Sequence, residues 1–207
     1  MDKELYIIRH GETDLNRQGI VQGRGVNADL NDKGRAQAAA FFEKYENVPF
    51  DKIYTSKLKR THQTVQGFLD KGIAWEQLEG LDELAWGIWE GKPNTEDAIQ
   101  AFQGIMDRWQ VEDYDACFEG GESPNAVVIR QKIAVEIIKK AVDEKTVLVC
   151  MHGRAMRLLF CVLLNRPLKE MTEFPHHNTT LYRVLLKDDV FTITDFNNIE
   201  HLTADLK

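Results

Sequence analysis

The sequence predicts an α/β protein with its ligand edge at the carboxyl ends of parallel strands. Three observations predict it. The run Leu5-Tyr6-Ile7-Ile8 is a short β-favouring stretch that stops at Arg9-His10-Gly11. Residues 146–151 form a second apolar run, which stops at His152-Gly153 and is apolar on both faces, as a central parallel strand would be. Stretches of helical spacing alternate with short apolar runs along much of the chain. If the two strands are neighbours, His10 and His152 stand side by side where open α/β sheets bind ligands.

A length of 207 residues suits one domain, or one domain with an elaborated cap, and can bury a sizeable core. Hydrophobic content of 43% and charged content of 29% are those of an ordinary soluble globular protein. No apolar run is long enough to span a bilayer, and the charged start Met1-Asp2-Lys3-Glu4 leads straight into a strand, so no signal peptide is expected. Cys117, Cys150 and Cys161 are odd in number and lack metal-ligand spacing. Cys150 and Cys161 lie in apolar stretches and read as reduced core residues, which points to the cytoplasm. The net charge of −7 argues against a general binder of nucleic acid or anionic membrane, yet leaves room for a small positive pocket.

In chain order, residues 13–16 start a short turn or helix. Asn31 reads as the N-cap of an alanine-rich helix from Asp32 to Phe42. Residues 51–55 form a strand, and Ser56 is expected to cap the following helix, whose apolar face is Leu58, Val65, Phe68 and Leu69. Arg60 lies one turn after Ser56 and stays near the ligand edge. Residues 75–78 form a short strand. Residues 94–110 have helical periodicity through Ala98, Phe102, Ile105, Met106 and Trp109. A long helix over 125–142, with Glu122 and Ser123 at its cap, carries Ile129, Ile133, Ile137 and Ala141 on one face. The helix from Arg154 to Leu164 is apolar away from Arg157, and Asn165-Arg166-Pro167 stops it. Residues 175–180 precede the last two strands, at 181–186 and 190–195. His176 and His177 lack the spacing and carboxylate partner of a metal site and are expected on a surface loop. No repeat or linker appears.

Arg9-His10-Gly11-Glu12-Thr13, Asn16, Gln22-Gly23, Ser56-Lys57-Leu58-Lys59-Arg60-Thr61, Glu83 ahead of Trp89-Glu90-Gly91, and His152-Gly153 occur in one order along the chain. In this the sequence resembles the histidine phosphatase superfamily, also called phosphoglycerate mutase-like. The resemblance implies a three-layer α/β/α sandwich with a mostly parallel central sheet and a small helical cap insertion. The domain would then be 1–207, with the cap around 84–122. It implies catalytic roles for His10, Arg9, Arg60, His152 and Glu83, and a pocket lined by Asn16, Gln22, Gly23 and Gly153. Composition alone does not choose Glu83 over Glu79, Asp82 or Glu90; the family spacing does, and Glu90 reads as structural. Arg154 is a departure, because the family often has a small or neutral residue there. It either contacts a second anionic group of the substrate or forms a structural ion pair.

These residues suit phosphoryl transfer through a phosphohistidine. Histidine is a nucleophile near neutral pH, guanidinium groups match phosphate oxygens, and a carboxyl group can protonate the leaving alcohol. No metal or cofactor is called for. The expected partner is a small phosphorylated metabolite, and a homodimer is left open. The expected activity is hydrolysis of a small phosphomonoester. A cofactor-dependent phosphoglycerate mutase and a non-catalytic phospholigand-binding module are the alternatives; the chain length and Gln22-Gly23 favour hydrolysis over the mutase, and the complete residue set weighs against the module.

Overall fold

A computed structural model describes residues 2–207; Met1, at the head of the charged start, lies outside them. The two histidine-ended strands are β1 (Lys3–Arg9) and β4 (Thr146–Met151), and they are adjacent and parallel, with Arg9 opposite Met151. They sit at the centre of a six-stranded sheet. Strand β2 (Lys52–Thr55) pairs parallel with β4 on one side and with β3 (Trp75–Gln77) beyond it. On the other side of β1, strands β5 (Leu181–Lys187) and β6 (Val190–Asn198) add two antiparallel pairs. The sheet is therefore parallel where the candidate site forms and antiparallel at one edge.

The alternation of side chains along each strand builds two cores. Leu5, Ile7, Val147, Val149 and Met151 face one layer, which holds α5 (Glu96–Gln110), α6 (Pro124–Lys140) and α7 (Gly153–Leu163). Tyr6, Ile8, Leu148 and Cys150 face the other, where Phe41 of α2 (Asp32–Tyr45) and Phe68 of α4 (Gln66–Asp70) pack. Asn31 caps α2, accepting the Gly34 N–H at 2.8 Å, and Ser123 caps α6. No helix among the described residues is long and apolar enough to cross a membrane.

Two local expectations are corrected, and the structure decides which face of α6 is buried. The helix after β2 is α3 (Lys59–Thr64), and its N-cap is Leu58, so Ser56 does not cap it. Glu122 does not cap α6 but accepts the Ala85 N–H and pairs with Arg130. The isoleucine face of α6 points outward: Ile129 is 66% exposed and Ile133 61%, while Val127, Gln131, Ala134 and Ile138 are buried. The reason is closeness of approach. Residues 79–81 pass so near α6 that a side chain on Gly80 would meet Ala134 Cβ at 2.7 Å, and only the smaller stripe fits there.

Candidate active site

The parallel register sets the site. His10 follows the last residue of β1, His152 that of β4 and Ser56 that of β2, so three polar side chains stand in a row at the carboxyl edge. Their backbones are tied across the strands: His10 N–H donates to Met151 O at 3.0 Å and Ser56 N–H to Cys150 O at 3.3 Å. The two imidazole rings lie 5.1 Å apart, centroid to centroid. Gly11 is required by crowding, since a Cβ there would lie 2.5 Å from Gly34 O. The Gly11 N–H donates to Thr64 Oγ1 at 2.9 Å.

His10 is buried, and its Nδ1 lies 2.7 Å from Gly11 O. A carbonyl can only accept, so Nδ1 carries the proton and Nε2 keeps its lone pair. Burial, then the charges of Arg60 and Arg9, hold the His10 pKa well below the usual histidine value. The ring is thus neutral at neutral pH, with the Nε2 lone pair free.

Arg60 is wholly buried on α3, one turn past Ser56. Its Nη1 donates to Val26 O at 2.6 Å, its Nη2 to Gly23 O at 3.3 Å and its Nε to His152 Nδ1 at 3.2 Å. Each Nη keeps one N–H free. Because His152 Nδ1 accepts from Arg60, its Nε2 carries the hydrogen, donated to Ser56 Oγ at 2.8 Å. Ser56 Oγ lies 3.0 Å from Thr61 Oγ1 and accepts the Leu58 N–H. Ser56 is therefore wired to His152, which answers what it does instead of capping. Arg9 leaves its Nε buried with no partner, an N–H available to an anion. Burial lowers the pKa of both arginines to about 10, which still leaves them cationic at neutral pH.

Glu83 is 7% exposed and is held by backbone alone. Its Oε1 accepts the Ala155 N–H at 2.8 Å and the Leu84 N–H at 2.9 Å, and its Oε2 the Arg154 N–H at 3.1 Å. Two of these donors belong to the first turn of α7, where the helix dipole favours negative charge. The structure thus sets Glu83 apart from its neighbours. Glu79 pairs with Arg24 and Lys57, Asp82 accepts the Lys57 N–H, and Glu90 accepts the Trp86 N–H, as its structural reading required.

Asn16 closes a capping box with Thr13 at the start of α1 (Asp14–Arg17), and its side-chain nitrogen has no protein partner among the described residues. Gln22 is buried and donates to Thr13 Oγ1 at 2.7 Å, while Gly23 reaches the site through its bond to Arg60. Gly153 opens α7 beneath His176; a Cβ there would lie 2.7 Å from that ring. His176 is not on a free surface loop. It is half-buried, its Nδ1 lies 3.3 Å from Arg9 Nη1, and burial with the nearby cations lowers its pKa to about 2. The contact joins residues 167 apart in sequence, so no local signal marks it. Asn178 donates to His10 O at 3.0 Å. Among the described residues Arg154 forms no ion pair, unlike Arg24 and Arg130, which bind Asp82 and Glu122. Among the described residues no group of three or more histidine, cysteine or carboxylate side chains is placed to hold a metal ion.

Residues 5–199 match the family described as the histidine phosphatase superfamily (branch 1). The chain belongs to that superfamily. It is thereby a phosphoric monoester hydrolase, and its relatives carry phosphatase names. Phosphoserine phosphatase 1 of Hydrogenobacter thermophilus is 28% identical over 96% of this chain and 94% of its own length. The mouse fructose-2,6-bisphosphatase TIGAR is 43% identical, but over 44% of this chain and 36% of its own. Among solved structures, YhfR of Bacillus stearothermophilus superposes with a TM-score of 0.84 at 28% identity, covering 96% of this chain and 98% of that one. The α-ribazole phosphatase of Shigella flexneri reaches 0.83 at 24% identity, covering 94% and 96%, a likeness of fold. For this histidine phosphatase the α/β reading and the expected three-layer architecture hold.

Proposed function

We propose that the chain hydrolyses a small phosphomonoester through a phosphohistidine at His10, using its own cations in place of a metal ion. The observation that carries this is the His10–Gly11 hydrogen bond, which leaves Nε2 unprotonated beside the spare donors of Arg9 and Arg60. His10 Nε2 attacks phosphorus in line, and the bond from phosphorus to the ester oxygen breaks. Glu83 takes up the proton that the ester brings as its monoanion and passes it to the departing alkoxide. Gly11 O accepts from Nδ1–H throughout and steadies the imidazolium character of the phosphorylated ring. Water then attacks phosphorus, Glu83 takes its proton, and the phosphorus–nitrogen bond breaks to restore neutral His10. Arg9, Arg60 and the Nε2 N–H of His152, which Ser56 otherwise accepts, stabilise the equatorial oxygens.

We read residues 84–122 as the cap over this pocket. Phosphoserine and fructose bisphosphates, named by the relatives, are first candidates for substrate. The three free thiols fit a reducing, cytoplasmic compartment. The test is phosphate release from a panel of monoesters with chelator present. Turnover lost in His10→Ala by at least about 1000-fold supports the reading. Release that survives the substitution overturns it. No release from any ester, with phosphate exchange primed by 2,3-bisphosphoglycerate, replaces it with the mutase.

A further inference from the structure

Arg154 occupies the second position of α7, directly after Gly153. Its backbone N–H holds the Glu83 carboxylate, and its side chain leaves from that same point. The guanidinium lies 5.7 Å from the Trp86 ring and 6.0 Å from the Trp109 ring, and its one polar side-chain contact is the Met171 sulfur at 3.7 Å. A thioether is a weak acceptor. The aromatic faces and the sulfur position the group without neutralising it. Its residue is half-buried, and its donors are not among the sealed, unpartnered atoms, so they open to solvent. Arg157, one turn along, is also free of carboxylate partners and donates its Nε to Phe174 O. The charges of Arg157 and Arg154 are felt by each other or by His176, and Glu83 is the carboxylate near them.

A fixed cation in a partly buried site calls for an anion. Glu83 does not meet that need, since backbone N–H groups hold it and no carboxylate oxygen of the described residues lies within ion-pair reach of Arg154. The transferred phosphoryl group has its own donors in Arg9 and Arg60. What lies beside Glu83 during the reaction is the leaving alcohol, because Glu83 protonates its oxygen. We infer that Arg154 selects a phosphomonoester whose alcohol carries a second anionic group, a carboxylate or another phosphate, a few bonds from the ester oxygen. The inference rests on the phosphatase reading above. Arg154 acts as a specificity-determining residue, and the two aromatic rings keep its planar fork oriented for bidentate recognition.

The experiment uses two matched pairs of esters. 3-Phosphoglycerate differs from glycerol 3-phosphate by a carboxylate, and propane-1,3-diol bisphosphate differs from its monophosphate by a second phosphate. The readout is the ratio of kcat/KM within each pair. The wild type should prefer the anionic member of one pair by about 10- to 100-fold, the size of a charge-assisted hydrogen bond. Which pair shows the preference distinguishes carboxylate from phosphate. Arg154→Gln should collapse that ratio, mainly through KM, and Arg154→Lys, which keeps the charge and the fold, should restore part of it. Equal losses on both members, with the ratio unchanged, overturn the inference and make Arg154 a prop for the aromatic segment. His10-dependent turnover of all four esters with no preference overturns it while leaving the phosphatase reading intact. No turnover of any ester removes both.

Discussion

The carboxyl edge of the sheet and the segment 84–122 are built in opposite ways. At the edge, backbone register places the groups. His10, Ser56 and His152 each follow a strand, and parallel pairing alone makes them neighbours. In the segment, an isolated backbone bridge between Trp86 and Gly121 is supplemented by a cluster of side chains. Trp86, Phe102, Trp109 and Phe118 contact one another edge-on, tilted or stacked, with centroids 5.0 to 6.3 Å apart, and Trp109 Nε1 donates to Ala116 O. A register is hard to change by mutation, whereas a side-chain cluster can be rebuilt around a different substrate. On the proposed reading the chemistry resides in the first region and the choice of substrate in the second; Arg154, whose guanidinium lies against Trp86 and Trp109, is where they meet.

The sharpest way to break this division is at Glu83, which the first turn of α7 anchors and to which the proposed mechanism assigns the leaving group. Glu83→Gln should slow hydrolysis of an alkyl phosphate by about 100- to 1000-fold, and the first step with para-nitrophenyl phosphate far less. Equal losses on both esters would show that Glu83 is not the proton donor. Trp109→Ala should cost about 3–5 kcal/mol in urea unfolding, because it empties a buried site, whereas Ile133→Ala on the exposed face of α6 should fall within about 0.5 kcal/mol. A Trp109→Ala protein of full stability but poor turnover would move that ring from packing to substrate contact. Ser56→Ala removes one hydrogen bond from His152 and should cost roughly 1 kcal/mol of transition-state stabilisation, a 5- to 10-fold fall in kcat/KM. No change would mean that Arg60 alone orients the ring.

Acid acts on four buried or half-buried rings at once. His10 and His152 are held well below the usual histidine value by burial, His176 to about 2 and His201 to about 4. Below pH 6.5 the unfolded chain takes up protons that these folded rings refuse, so stability falls as pH falls. Each ring contributes up to about 1.4 kcal/mol per pH unit below 6.5, until the pH reaches its folded value. The urea midpoint should therefore decline between pH 7.5 and 5.5. A flat profile would contradict neutral, buried rings.

The edge was legible in the sequence because its causes are local. An apolar run, a histidine and a glycine at each strand end foretell both the strands and the meeting of His10 with His152. Asn31 and Ser123 likewise announce their helices through the residues that follow them. The features that the sequence hides depend on distant partners. Ser56 looks like a cap until α3 begins later and His152, 96 residues away, takes its hydroxyl. His176 looks like loop until Arg9 is beside it. Two apolar stripes on α6 are equally plausible from periodicity, and only the closeness of residues 79–81 decides between them. Glu83 needed family spacing in the sequence; in the structure, the first turn of α7 distinguishes it from the acids around it.

The most direct test is to stop the enzyme in turnover with alkali, which preserves phosphohistidine, and to locate the phosphoryl group by mass spectrometry of the peptides. The account predicts one phosphoryl group on His10, absent from His10→Ala and accumulating in Glu83→Gln supplied with para-nitrophenyl phosphate. A phosphoryl group on His152 or on any other residue, or steady turnover with none trapped in Glu83→Gln, would contradict it.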